Sequence, residues 1–287
     1  MPKLLLQTTI EAEPDDWSIR RFSRLRALLC GLRQGDGRPA FDVVARDRTP
    51  RGRPDPVLSH LGESDVDQLW LFAADTGDGL TPEDCAGIEA FRRRGGALML
   101  TRDHMDLGFS PCAMGGVGAA HQAHADLYEL KPTHHCVGYA GDPGVLWPNY
   151  HSGANGDYQR VSAVGSIHPV MLDRHSPTGV IQYLPAHPHE GAVSAPPGDG
   201  SSRVVMQGMS SLTGQRFNLA VAFERSATGG RAIAQSSFHH FSDYNWDPAA
   251  GCPSFVRDLP GDGLARFPEA MRATRQYMRN LAFWLAG

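Results

Sequence analysis

Along the first hundred residues the apolar positions alternate between short continuous runs and helically spaced sets. Leu4-Leu5-Leu6 begins a run through Thr8 that predicts a strand buried on both faces. From about Trp17 to Leu32, Ile19, Phe22, Leu25, Leu28, Leu29 and Leu32 fall near helical period, and Gly31 and Gly35 mark the end. Phe41–Ala45 and Gln68–Ala74 are the next two strands, separated by a Pro/Arg-rich turn over Thr49–Pro56. Thr81-Pro82-Glu83-Asp84 has the form of an N-cap, a first-turn proline and first-turn acids, opening a helix that Gly95-Gly96 stop after Arg94. Ala97–Thr101 is a fourth, fully apolar strand.

That order implies a mostly parallel sheet with helices on both faces. From about Arg102 to Gly200 the chain is rich in Gly, Pro and His and weakly periodic, with β-like pieces near Val161–Ile167 and Gly179–Leu184. A structureless stretch of that length is foreign to a compact domain, so it reads as an insertion packed over the carboxyl edge of the sheet. Regular pattern returns in Val204–Met209, Phe217–Glu224 and Arg231–Ser236, the last two joined by a hairpin signal at Ala227-Thr228-Gly229-Gly230. A final helix over about Gly263–Leu285 lines up Phe267, Met271, Met278, Leu281 and Leu285. The expectation is one α/β domain over residues 1–287, with the insertion at about 102–200.

Composition narrows the function classes. Hydrophobic residues at 41% and charged residues at 20% suit a soluble globular chain, and a net charge of −4 gives no electrostatic footprint for nucleic acid. No apolar run is long enough for a membrane span or a secretory signal. Five widely spaced cysteines without a C-x-x-C pair argue against a disulfide framework or a zinc ribbon, and point to a reducing cytoplasm. Histidine is the unusual count, at 13, and falls in clusters.

Three of those clusters could carry chemistry. Asp103, His104 and Asp106 follow the fourth strand, where α/β folds place ligand sites; they suit a general base with an orienting carboxylate, or metal ligands. Asp103 could equally cap the next turn. Gly116 and Gly118 sit in a small-residue stretch that could expose backbone N–H groups to an anion. His121 and His124, three apart, would share a helical face as metal ligands, or lie on the surface of an amphipathic stretch. Third, Phe238-His239-His240-Phe241 leads into Asp243, Tyr244, Trp246 and Asp247, a segment too polar for core and too aromatic for an ordinary loop. On a continuing strand His239 and His240 would point to opposite sides, leaving one to face a pocket with Asp243 or Asp247 orienting it; Tyr244 and Trp246 would be flat walls for a ring. A structural aromatic corner is the competing reading. His134-His135 and His187-Pro188-His189-Glu190 read as loop features. A divalent metal such as zinc suits these imidazole and carboxylate clusters, with His104, His121, His124 and His240 as ligand candidates. No P-loop, G-x-S-x-G elbow or strand-linked G-x-G-x-x-G is present.

The strands Leu4–Thr8, Leu69–Ala74 and Gly95–Leu100, with the closing hairpin into Phe238-His239-His240, resemble the class I glutamine amidotransferase-like superfamily, and within it the trehalose-utilisation (ThuA-like) branch. The resemblance implies a flavodoxin-like three-layer fold with the site at the strand carboxyl ends, and maps the amidotransferase catalytic histidine onto His239 or His240. Amidotransferases carry a nucleophilic cysteine in a string like G-[IV]-C-x-G-H-Q. Gly116-Val117-Gly118-Ala119-Ala120-His121-Gln122 echoes it with Gly118 in the cysteine position, and Cys112 has no elbow around it. A working glutamine amidotransferase is therefore not expected. The resemblance implies a ThuA-like protein acting on a small polar metabolite, plausibly a carbohydrate, by His/Asp acid–base or metal-assisted hydrolysis or isomerisation. The alternative is a non-catalytic ligand-binding or interaction protein on the same fold. The expected partner is a small molecule, with no nucleic acid and no membrane; homo-oligomer formation is left open.

Overall fold

In the computed structural model, residues 1–121, 136–139 and 142–287 are described, and of 136–139 and 142–147 the backbone alone. The chain begins with β1 (Lys3–Thr8), α1 (Ser23–Gly31), β2 (Asp42–Arg46), β3 (Gln68–Phe72), α2 (Pro82–Arg93) and β4 (Ala97–Thr101). Two short antiparallel pairs involve β5 (Cys136–Tyr139) with β6 (Asp142–Pro148), and β7 (Tyr158–Arg160) with β9 (Tyr183–Pro185), while β8 (Ser162–Ala163) joins the main sheet. Then come β10 (Ser202–Met209), β11 (Arg216–Phe223) and β12 (Ala232–Gln235), followed by α3 (Asp243–Trp246), α4 (Gly263–Arg266) and α5 (Pro268–Ala286).

The main sheet has eight strands in the order β2-β1-β3-β4-β12-β11-β10-β8. Its β2-to-β12 side is parallel, and β11, β10 and β8 extend it antiparallel. Alternation along each strand feeds two cores. Leu4, Leu6, Trp70, Phe72 and Met99 pack with Leu25 and Leu29 of α1 and with Tyr277, Met278 and Leu281 of α5. Leu5, Leu69, Leu71, Leu98 and Leu100 pack on the other face with Ile88 and Phe91 of α2. The expected three-layer α/β arrangement is present. No helix among the described residues is long and apolar enough to cross a membrane.

Two helices differ from their sequence-based bounds. The stretch predicted as one helix from Trp17 splits into a 3₁₀ turn (Ile19–Phe22) and α1. Free N–H groups at the start of α1 are capped from far away: Asp243 accepts from the backbone N–H of Ser23 at 3.0 Å and of Arg24 at 2.8 Å. The last helix breaks at Phe267, because the residue before Pro268 is excluded from the helical region and Pro268 instead opens α5.

Candidate functional site

The register of two neighbouring parallel strands builds the site. Thr101 at the end of β4 pairs with Gln235 at the end of β12, so both loops leave the sheet at one level. Two residues further on, the Ser237 hydroxyl donates to Asp103 Oδ1 at 2.6 Å, and the Phe238 N–H donates to the Arg102 carbonyl at 3.0 Å. A third segment lies across these ends. Tyr150 and Glu190 exchange backbone hydrogen bonds at 2.8 and 2.7 Å, holding His187–Gly191 in place. A Cβ on Gly191 would stand 2.4 Å from the Ser236 carbonyl oxygen and 2.6 Å from that of Asp103, so this contact requires glycine.

Asp103, fully buried, collects three imidazoles. His104 Nδ1 is 2.7 Å from its Oδ2, His239 Nε2 is 3.4 Å away and His187 Nε2 is 3.5 Å away. Burial alone would raise the Asp103 pKa, but the neighbouring imidazoles, hydrogen-bonded His104 first among them, outweigh it and hold the carboxyl well below its usual range. Burial, reinforced by His239, pushes His187 well below the ordinary imidazole value despite the pull of Asp103, which favours the neutral ring. The rings of His187 and His239 stack at 3.5 Å with planes 16° apart, and His189 lies 4.9 Å from His104. His104 and His189 reach solvent, with side chains 21% and 40% exposed, and so form the mouth.

The loop carrying His104 is held from below. Buried Arg102 donates to the carbonyls of Met105 and His121. Met105 sits at φ 54°, a conformation that a bulky residue adopts only when its surroundings impose it.

The donor set fits a divalent cation. Ligand atoms of Asp103, His104 and His187 lie within 4.8 Å of one another, and among the described residues this is the one such convergence of three groups. Ligands at tetrahedral zinc stand roughly 3.3–3.6 Å apart, close to the His187–Asp103 and His239–Asp103 spacings. Parallel rings at stacking distance cannot both aim in-plane lone pairs at one ion, so His187 and His239 divide the work.

The other residues singled out in the sequence lie apart. Asp106 is exposed. His240 faces away from Asp103, with Nε2 3.0 Å from Glu190 Oε1, and Gln159 donates to the same oxygen. Asp243 caps α1 rather than orienting a histidine. Tyr244 is buried against Cys252, its hydroxyl pushed up to about 12 by burial, then by that contact. Trp246 Nε1–H donates to the His240 carbonyl at 2.8 Å and its ring borders a cleft with Arg24 and Arg272. The aromatic segment, read as too polar for core, is buried: Phe238 and Phe241 are 0% exposed. Gly116 and Gly118 line a cleft against Glu89 and Arg92 of α2, and a Cβ on Gly118 would stand 2.3 Å from the Pro111 carbonyl oxygen. His121 is buried in a turn outside the Asp103 group, and His124 lies outside the described residues. Burial raises the Cys112 thiol, which gives no encouragement to thiolate chemistry. Missed from sequence were His187, set aside as a loop feature, and Asn155 and Asn245, whose side chains bond the outer nitrogens of the stacked rings.

No family model and no curated protein sequence matches the chain. Among solved structures, it is similar to a ThuA-like protein from Bacteroides uniformis at 13% identity and TM-score 0.46, covering 99% of this chain and 91% of that one. A ThuA-like protein from Parabacteroides merdae shares 14% identity at TM-score 0.46, over 91% and 96% of the two chains. The carbohydrate deacetylase Agd3 shares 11% at TM-score 0.40, over 82% of this chain and 29% of that chain. Likeness at this level says nothing about chemistry, which has to come from the side chains.

Proposed function

We propose that this chain is a metal-assisted hydrolase of a small polar metabolite, with Asp103, His104 and His187 holding a divalent ion such as zinc and His239 as the neighbouring acid–base group. The observation that carries this reading is the convergence of those ligand atoms on one buried carboxylate at the strand ends. An ion bound there would polarise a substrate carbonyl or lower the pKa of a water toward ~7. Buried Asp103, kept ionised, supplies the anchoring charge, and Ser237 fixes its second oxygen. His187 is held neutral, the form that ligates. His239 stacks on His187 beside the same carboxylate and is left to take or return a proton. Carbohydrate is the substrate class implied by the sequence resemblance, and free thiols at Cys30, Cys85, Cys112 and Cys252 suit a cytoplasmic setting.

The test is elemental analysis and zinc titration of chain purified without a histidine tag, beside turnover of acylated sugars. The expected result is about one ion per chain, lost in a His104→Ala/His187→Ala double variant, with hydrolysis lost in step. Metal bound without turnover would favour the ligand-binding alternative. No metal bound by folded protein would sink both the metal centre and the hydrolase.

A further inference from the structure

Behind the two stacked imidazoles stands an asparagine pair whose hydrogen bonds have only one consistent direction. The Ala186 carbonyl can only accept. Asn245 therefore turns its Nδ2 amide toward it, at 2.9 Å, and toward Asn155 Oδ1, at 2.8 Å. That leaves Asn245 Oδ1 facing the Ser242 hydroxyl at 2.8 Å and His239 Nδ1 at 2.9 Å, so the His239 ring donates from Nδ1. Asn155 Oδ1, already fixed as an acceptor by Asn245, lies 2.8 Å from His187 Nδ1, so that ring donates from Nδ1 too. Both residues of the amide pair and both rings are buried, which keeps water from substituting for any of these partners.

A neutral imidazole with its proton on Nδ1 carries a lone pair on Nε2. Both Nε2 atoms stand 3.4–3.5 Å from Asp103 Oδ2, so in the neutral form of the rings acceptor faces acceptor with no hydrogen between. We infer that Asn155 and Asn245 are positioning residues that lock His187 and His239 as Nδ1–H tautomers, so that the His187 lone pair would join the carboxylate in holding a cation while the His239 lone pair beside it stays free to take a proton. This rests on the metal-centre reading above and deepens it. The lock acts before any ion arrives, with the Ala186 carbonyl as its fixed end.

Long-range ¹H–¹⁵N spectra of the histidine rings in metal-free, wild-type chain test the lock without any variant. The expected spectra show Nδ1 protonated and Nε2 bare on both His187 and His239. Asn245→Asp cannot donate to the Ala186 carbonyl or to Asn155, so the Asn155 amide is free to turn; zinc affinity should fall about 10–100-fold. Asn155→Asp still accepts from both His187 and Asn245, and should keep the tautomers and hold zinc affinity within about tenfold of wild type. A ring protonated at Nε2 in the metal-free wild type overturns the lock, even if zinc binds. Tautomers as inferred with no zinc uptake overturn the metal centre and leave the lock standing.

Discussion

Two buried carboxylate clusters sit near the carboxyl rim of this sheet, and they are built from opposite materials. In the first, Asp84 and Asp55 meet donors that never lose their protons. Asp84 accepts from Arg48 at 2.8 Å and from the backbone of Asp55 and Thr81 at 2.7 and 3.0 Å. Asp55 accepts from Arg46 at 2.7 Å and from the N–H groups of Thr49, Val57 and Leu58. All four carboxylate oxygens are used, and the cluster ties the β2–β3 connection to the first turn of α2. In the second, Asp103 meets imidazoles, whose protons are conditional, and two of them stand beyond hydrogen-bond distance. A satisfied cluster of guanidinium and amide donors is a brace. A carboxylate that two imidazoles face from beyond hydrogen-bond distance is, on the function proposed above, where a cation would bind.

The sharpest way to break this contrast is to remove one carboxylate at a time. Asp84→Ala strands the Arg48 charge, 1% exposed, and should cost about 3–5 kcal/mol in urea unfolding, with zinc uptake by the folded fraction unchanged. Asp103→Asn should reverse the pattern, abolishing zinc binding for a stability loss of about 1–3 kcal/mol. Zinc at a hundredfold excess over its Kd should then stabilise the wild type by about 2.7 kcal/mol and leave Asp103→Asn unmoved. Equal stabilisation of both would show that the two clusters do not differ in kind.

A smaller effect sharpens the geometry. Gly191→Ala forces a Cβ against the Ser236 and Asp103 carbonyls, costing about 1–3 kcal/mol by overpacking. Because the same shift carries His187 away from Asp103, zinc affinity should fall with it, as isothermal titration would read. Acid should address the brace. Burial works to raise the Asp55 pKa, but Arg46 and the backbone donors overcome it and depress the folded value. Its contribution is therefore complete above the unfolded carboxylate pKa of about 3.9 and fades as pH falls toward the folded one. Asp55→Asn should flatten the stability–pH curve in that window. The smallest change is His189→Ala at the half-open mouth, expected to cost under about 0.5 kcal/mol of stability and to leave zinc stoichiometry intact.

The fold was legible because its strands are buried on both sides, so continuous apolar runs such as Ala97–Leu100 have few other readings, and because Thr81 and Asp84 form the reciprocal cap their spacing announces. Asp103, His104 and His239 were legible for a related reason: each follows a strand end. His187 was not, since nothing periodic between residues 102 and 200 indicates which loop returns to the sheet. Asn155 and Asn245 left no trace, because an amide pair has no characteristic spacing. The aromatic segment misled through its composition. A 3₁₀ turn brings residues three apart onto one side, so Phe238 and Phe241 both enter the core while His239 and His240 turn to different neighbours.

The pairing of Thr101 with Gln235 has a bearing on how the chain matures. Asp103 and Ser237 are 134 residues apart, and nothing local brings them together. Their meeting waits on the docking of β12 beside β4, a long-range parallel contact of the kind that forms slowly. During refolding, the capacity to capture zinc should emerge only with that last central strand, making ion uptake a clock for completion of the sheet.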